Sequence, residues 1–445
     1  MKIKQFEDKF LSHYSYAILS ECENKVVLID PARNPQPYYN YAKENHAEII
    51  GVIETHPHAD FVSSHLEIHH HSDAPIYASK LTEPGYPFLP FDSGDVLEIG
   101  KIKLKALNTP GHSPDSICVV LEHEGKDKAL FSGDTLFIGD CGRPDLRESG
   151  GDANAERMHL ARKMYYSLRD QLMTLEDDVI LYPAHGAGTL CGKALSEASS
   201  STIGAEKATN WSLKEMTESE FVEELTSNQP FIPVYFSYDV ELNKKGAPDF
   251  QQAIDLVEIT KAQYPIDETV WIIDSRDDQL FKASHQQHSI NIMEGTKFET
   301  WLGSIISPGE GFYLKAKDES TLKELVTRTA SIGYEGQIRG SFFGNSGELT
   351  MENLDLADFK AHTEHYTIVD VRNESEVKEH KIFPGSVAIP LGELRGRIEE
   401  IPTDKPIAVH CAGGYRSAAA SSMISAKLQG KVMVFDIGNA IKQFS

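Results

Sequence analysis

The segment Thr55-His56-Pro57-His58-Ala59-Asp60-Phe61 constrains this chain more than any other stretch. It ends the apolar run Glu48-Ile49-Ile50-Gly51-Val52-Ile53, which predicts a buried strand. Two imidazoles and a carboxylate crowded past a strand end project nitrogen and oxygen donors into one crevice, the arrangement that captures a transition metal. Three more segments place ligand-type residues just beyond strand-like runs: Asn108-Thr109-Pro110-Gly111-His112-Ser113, Phe131-Ser132-Gly133-Asp134-Thr135 and Tyr182-Pro183-Ala184-His185-Gly186. Gly111, Gly133 and Gly186 let the backbone turn tightly beside that crevice. The run His69-His70-His71, with His65, lacks the strand-end context and is expected on a solvated helix face.

At 445 residues the chain exceeds one core, and its length suggests roughly two to four domains. With 40% hydrophobic and 25% charged residues it is expected to be globular and soluble. A net charge of −24 argues against a nucleic-acid partner and against docking on anionic lipid. The start, Met1 to Asp8, lacks the apolar core of a signal peptide, and no later stretch is long enough to span a bilayer. The five cysteines, Cys22, Cys118, Cys141, Cys191 and Cys411, are odd in number and scattered, the usage of a reducing compartment. A cytoplasmic location is the expectation. Cys118, mid-strand, is expected in the core; Cys141 packs or faces the site; Cys191 is either a thiol near the metal or structural.

The first half alternates strand-like runs with turns: Ser15–Leu19, Lys25–Asp30, the period-two run Ile102–Leu107, then Ile117–Leu121 and Ala129–Phe131 around a turn at Gly125. An amphipathic helix is predicted from Arg157 to Leu175 and another strand at Val179–Tyr182. The polar stretch Ser196 to Asn210 predicts a domain tail, and Lys244 to Pro248 a linker. Beyond the linker the chain repeats itself. Val270-Trp271-Ile272-Ile273-Asp274-Ser275-Arg276 echoes Thr367-Ile368-Val369-Asp370-Val371-Arg372; Ser289–Ile292 echoes Ser386–Ile389; Gly311–Ala316 echoes Pro406–Cys411. Helical stretches at Thr321–Ile332 and Ser417–Leu428 complete two small parallel-sheet α/β domains. The predicted domains are 1–248, 249–350 and 351–445. Ala316 stands in the place of Cys411, so only the second copy can be a thiol enzyme.

Together the histidine and aspartate segments resemble the metallo-β-lactamase superfamily, which implies an αββα sandwich with a metal site at one edge. Within it, Ser132-Gly133-Asp134-Thr135-Leu136-Phe137-Ile138-Gly139-Asp140-Cys141-Gly142-Arg143-Pro144-Asp145 is similar to the persulfide dioxygenases. That resemblance implies one Fe(II) per chain, held by His56, His112 and Asp134 with positions open for O2 and a sulfur. His58, Asp60, His185 and Arg143 are then groups that orient ligands or substrate. Phe61 departs from the pattern, which keeps a histidine there; its loss damages a second metal position and leaves the three iron ligands untouched.

Cys411-Ala412-Gly413-Gly414-Tyr415-Arg416-Ser417 follows the strand Ile407–Val409 and opens an alanine-rich helix. Small residues let backbone N–H groups turn inward around the sulfur, and the helix N-terminus adds positive potential, so thiolate is favoured. Arg416 adds charge or holds an anionic sulfur donor. With Val369–Arg372 and Lys381–Ser386 upstream, the loop resembles the rhodanese sulfurtransferases. Cysteine phosphatases share a Cys and an Arg bracketing amides but not those upstream segments. The middle copy, reading Ala316-Lys317-Asp318-Glu319-Ser320, is a non-catalytic rhodanese homologue.

These resemblances imply oxidation of a small-molecule thiol persulfide by O2 to sulfite and thiol, with Cys411 combining sulfane sulfur and sulfite into thiosulfate in sulfide detoxification. Homo-oligomerisation is left open. One alternative is a thioester hydrolase of the glyoxalase II type with a bridged zinc pair, against which Phe61 argues. Another is a sulfur carrier or sensor with a vestigial metal site, against which intact His56, His112 and Asp134 argue.

Overall fold

The computed structural model describes residues 1–146, 153–193, 195–261 and 266–444, and divides into two compact units. The first spans Met1–Gln252 with Ser331–Gly333, and the second holds Ala253–Ala330 and Tyr334–Ser445.

Two six-stranded sheets form the first unit. One runs in chain order through Lys2–Asp8, His13–Ser20, Lys25–Ile29, Glu48–Ile53, Ile76–Ala78 and Leu89–Pro90. The other is a meander of Val96–Ile99, Ile102–Asn108, Ile117–His123 and Lys126–Gly133, extended by Ile180–Pro183 and the edge strand Ser201–Thr202. Alternation along the strands builds the layers, because successive side chains face opposite ways. Tyr16, Ile18, Val27 and Ile29 point between the sheets to meet Leu104, Val119 and Phe131. Ala17, Leu19, Val26 and Leu28 point outward against Tyr38, Ala42 and Ile68 on the helices Gln36–Glu44 and His65–Ser72. On the far side Val120, Leu130 and Leu181 meet Ala161, Met164 and Phe221. The result is the αββα sandwich.

Three expectations about this unit need correcting. The stretch from Ser196, expected as a domain tail, is part of the sandwich: it contributes the edge strand and the helix Ile203–Thr209, and Asn210 is fully buried, donating to the Phe137 and Asp140 carbonyls. The helix expected to run to Leu175 stops at Tyr166 and continues as a π-turn and a 3-10 turn, Ser167–Gln171 and Leu172–Thr174. His65 is 1% exposed and packs against Tyr86, whereas His70 and His71 are on the exposed face as expected.

The second unit contains two all-parallel sheets. Five strands, Ile259–Lys261, Ile338–Phe343, Phe312–Ala316, Trp271–Asp274 and Ser289–Asn291, lie side by side in that order. Four strands, Val434–Asp436, Ile407–His410, Thr367–Asp370 and Val387–Ala388, repeat the same order. The echo in sequence has a structural cause. Arg276 forks onto Asp274 and reaches the Ser284 carbonyl; Arg372 forks onto Asp370 and reaches the His380 carbonyl, eight residues on in both copies. Each buried guanidinium thereby locks the strand end to the loop that follows. Among the described residues no helix is long and apolar enough to cross a membrane.

Candidate functional site

Parallel pairing sets the metal-type residues at one end of the sandwich. Lys126–Gly133 and Ile180–Pro183 run parallel, and the Ala184 amide donates to the Gly133 carbonyl, so Asp134 and His185 emerge side by side. Gly133 takes φ +52°, and a Cβ there would lie 2.6 Å from Thr55 Oγ1. The Thr55 carbonyl accepts from the Ile117 amide, which ties the histidine loop of one sheet to the other.

His56, His112 and Asp134 each bring one donor atom within 4.8 Å of the others, all buried. His112 Nε2 stands 3.5 Å and His56 Nε2 3.8 Å from Asp134 Oδ2, a buried oxygen with no hydrogen-bond partner. The outer nitrogens set the tautomers: His112 Nδ1 donates to the Arg143 carbonyl at 2.9 Å, and His56 Nδ1 lies 3.1 Å from Thr55 Oγ1, which itself donates to Asp30. Both rings therefore turn Nε2 inward, as metal-ligating histidines do. An orphaned carboxylate oxygen faced by two such nitrogens fits a divalent transition metal.

His185 stands differently. Its Nδ1 is 2.7 Å from Asp134 Oδ1 and its Nε2 is 3.0 Å from Asp60 Oδ2. Burial would strip its proton, but Asp134 and Asp60 outweigh that and hold its pKa well above the usual imidazole value. Burial would likewise raise the Asp134 carboxyl, yet His185, His112 and His56 hold it well below the usual carboxylate range. His58 lies 3.3 Å from Asp30 and belongs to two overlapping donor groups, one with Asp134 and His185 and one with Asp30 and Glu54. Phe61 is 1% exposed, its ring centroid 3.7 Å from His13 and 4.3 Å from His58.

Arg143 contributes its carbonyl rather than its charge, because the guanidinium forks onto Asp145 and reaches the Leu190 carbonyl. Cys191 brings its sulfur into a group with Asp60 and His185, and burial, then Asp60 and Asp134, push its thiol pKa up. Cys141 and Cys118 are core residues, the latter raised to about 11 by burial. Two residues near the metal donors had no motif to announce them. His13 is buried with its ring 5.5 Å from that of His185. Asn243 donates to the His58 and Phe61 carbonyls and accepts from the Ser63 amide, holding the histidine loop from behind.

The sulfur loop lies at the end of the strand Ile407–His410. Cys411 is 1% exposed, and its Sγ accepts from the Gly414 amide at 3.1 Å. Gly414 takes φ +102°, which turns the chain into the helix Tyr415–Leu428, and no side chain caps that helix. Its first amides are thus left without a side-chain cap beside the sulfur. Ala412 and Gly413 form the exposed lip, while Ser417 is buried and donates to the Gly414 carbonyl. Arg416 forks onto Glu376 at 2.6 and 2.8 Å, a partner the sequence did not announce. In the other copy Asp318 accepts from the Thr321 amide and caps the corresponding helix with its own negative charge. That closes the place an anion would use.

The metallo-beta-lactamase superfamily model matches residues 9–185, and that of the rhodanese-like domain matches residues 355–442. A hydroxyacylglutathione hydrolase of Francisella philomiragia is 31% identical over 189 residues, 42% of this chain and 68% of that protein. A probable hydroxyacylglutathione hydrolase of Schizosaccharomyces pombe is 30% identical over 179 residues, 39% of this chain; the chain spans 64% of that relative's length. A metallo-beta-lactamase structure from Staphylococcus aureus is 31% identical with a TM-score of 0.69, covering 77% of this chain and 99% of its own. With its donor set and its sandwich, the chain belongs to the metallo-beta-lactamase superfamily. Its C-terminal part is a rhodanese-like domain.

Proposed function

We propose that the first unit is a one-metal persulfide dioxygenase and that the rhodanese-like domain transfers sulfane sulfur through Cys411. The partition of donors carries this reading. Asp134 Oδ1 is taken by His185, leaving Oδ2 alone toward His56 and His112. His185 lies between Asp134 and Asp60, and a phenylalanine, Phe61, offers no donor where it packs against His13 and His58. His56, His112 and Asp134 Oδ2 make a face of two imidazoles and one carboxylate, the set suited to non-heme Fe(II). When bound there, Fe(II) supplies the one-electron chemistry that O2 needs to react with a sulfane sulfur.

His56, His112 and Asp134 would hold the ion, and His185, placed between Asp134 and Asp60, would keep those two carboxylates in register. Every one of these side chains is almost fully buried, which excludes bulk water and strengthens the interactions among them. The net reaction is R–S–SH + O2 + H2O giving R–SH, sulfite and two protons: the sulfane sulfur loses four electrons and O2 gains them. At the second site a Cys411 persulfide transfers its outer sulfur to sulfite, forming thiosulfate and returning the thiolate. The test is metal identity and stoichiometry on anaerobically isolated protein, with O2 uptake on adding a small-thiol persulfide. One iron per chain with O2 uptake is expected; fully loaded zinc without uptake would end the proposal.

The relatives named hydroxyacylglutathione hydrolases favour a second reading, hydrolysis of a glutathione thioester by a metal pair. Two ions per chain and turnover of a hydroxyacyl thioester would install it instead.

A further inference from the structure

The cysteine-less copy closes its own anion site, yet it packs against the helix that carries the sulfur loop of the other. Ser422 Oγ, on the helix Tyr415–Leu428, accepts from the amide of Asn291 on the other copy's edge strand. Tyr415, first residue of that helix and part of the loop around Cys411, sends its side chain the same way. Its hydroxyl donates to the Met293 carbonyl at 2.6 Å. The ring lies against Gly295, where an added Cβ would stand 3.2 Å from Tyr415 Cε2. Gly295 is itself pinned: its carbonyl accepts from Arg328, whose guanidinium forks onto the buried carboxylate of Glu299. A cavity of about 590 Å3 beside the loop is walled by Gly413, Gly414 and Tyr415 from one copy and by Asp278, Lys282 and Met293 from the other.

The consequence lies in what the loop must do. The amides of Gly414 and of the first helical turn act on sulfur only while they converge on Sγ, and no side-chain cap holds that turn in place. Tyr415 sits in the middle of those amides and is anchored by a domain more than a hundred residues upstream. We propose that the cysteine-less copy is a positioning domain for the sulfur loop and that it acts through the seat of Tyr415 on Met293 and Gly295. This rests on Cys411 being the working thiolate. It gives the middle copy a role that needs no ligand of its own.

The test reads Cys411 in the full-length protein by the rate and pH profile of iodoacetamide alkylation, followed on the Cys411 peptide by mass. Alkylation reports the thiolate whether or not sulfane sulfur is carried, so failure here is distinguishable from failure of the sulfurtransferase assignment. Gly295→Val, in the cysteine-less copy, should slow alkylation at pH 7 by roughly tenfold and move the profile to alkaline pH. Tyr415→Phe, which keeps the ring and loses the hydroxyl, should shift it less and in the same direction. In a Tyr415→Ala background Gly295→Val should add nothing, because the ring it displaces is gone. A wild-type profile in Gly295→Val, or an undiminished effect of it in the Tyr415→Ala background, overturns the proposal. Should Gly295→Val fail to fold, Tyr415→Phe decides, and an unshifted profile there is equally fatal.

Discussion

Replacing Asn243 by alanine should damage the metal centre from a position no metal touches. Asn243 is 2% exposed on the helix Phe236–Lys245, and its amide serves three backbone groups of the histidine loop. Nδ2 donates to the His58 carbonyl at 2.9 Å and the Phe61 carbonyl at 2.8 Å, while Oδ1 accepts from the Ser63 amide at 2.8 Å. Each buried group left without a partner costs about 1–3 kcal/mol, and a water entering the vacated space recovers part of that. The loss should come to about 3 kcal/mol in equilibrium urea unfolding of the first unit. Because the same segment carries His56 and His58, metal affinity should fall roughly 10- to 100-fold, as when supporting contacts of ligands are removed. Asn243→Asp separates hydrogen bonding from packing: it keeps the shape but turns a carboxylate oxygen toward two carbonyls, so it should be at least as harmful. An alanine variant within about 1 kcal/mol of the wild type, with metal affinity unchanged, would refute the reasoning.

Restoring a donor by Phe61→His should raise metal content above one ion per chain, measured by elemental analysis; unchanged stoichiometry would mean that Phe61 does not limit the site. Cys411→Ser should abolish sulfur transfer and leave O2 uptake largely intact, and loss of both would show that the sites depend on each other. Burial, helped by His58 and Arg33, lowers the pKa of His65 from 6.5 to about 3. The folded state therefore refuses a proton that the unfolded chain accepts, and stability falls as pH drops from 6.5 toward 3, by roughly 5 kcal/mol for this group alone. His65→Phe, beside Tyr86, should flatten the acid limb of a urea-midpoint profile on chelated protein; an unchanged slope would place the acid sensitivity elsewhere.

Much of this was legible in the sequence because it is local. A histidine loop after an apolar run, a glycine turn before Asp134 and a small-residue loop after Cys411 are written within a few residues of the groups they present. The paired Asp274-Ser275-Arg276 and Asp370-Val371-Arg372 are visible for the same reason: each arginine folds back on a carboxylate two positions away. Residue type and spacing along a strand end are enough to specify such features.

Other assignments turned on which partner a buried polar group finds across the fold. Arg143, expected to orient ligands or substrate, meets His112 through its carbonyl, while its guanidinium is taken by Asp145 and the Leu190 carbonyl. His65, expected in solvent, is buried because its helix lays that side on the sandwich. Asn243, His13 and Glu376 reach their sites from distant segments, and no periodicity marks them. By itself the sequence determined the metal-type donors, the loop that presents Cys411 and the order of the domains, since covalent neighbours dictate local geometry. Only tertiary packing decided which nitrogens and oxygens stay available, because burial forces each polar atom to take whatever partner the fold sets beside it.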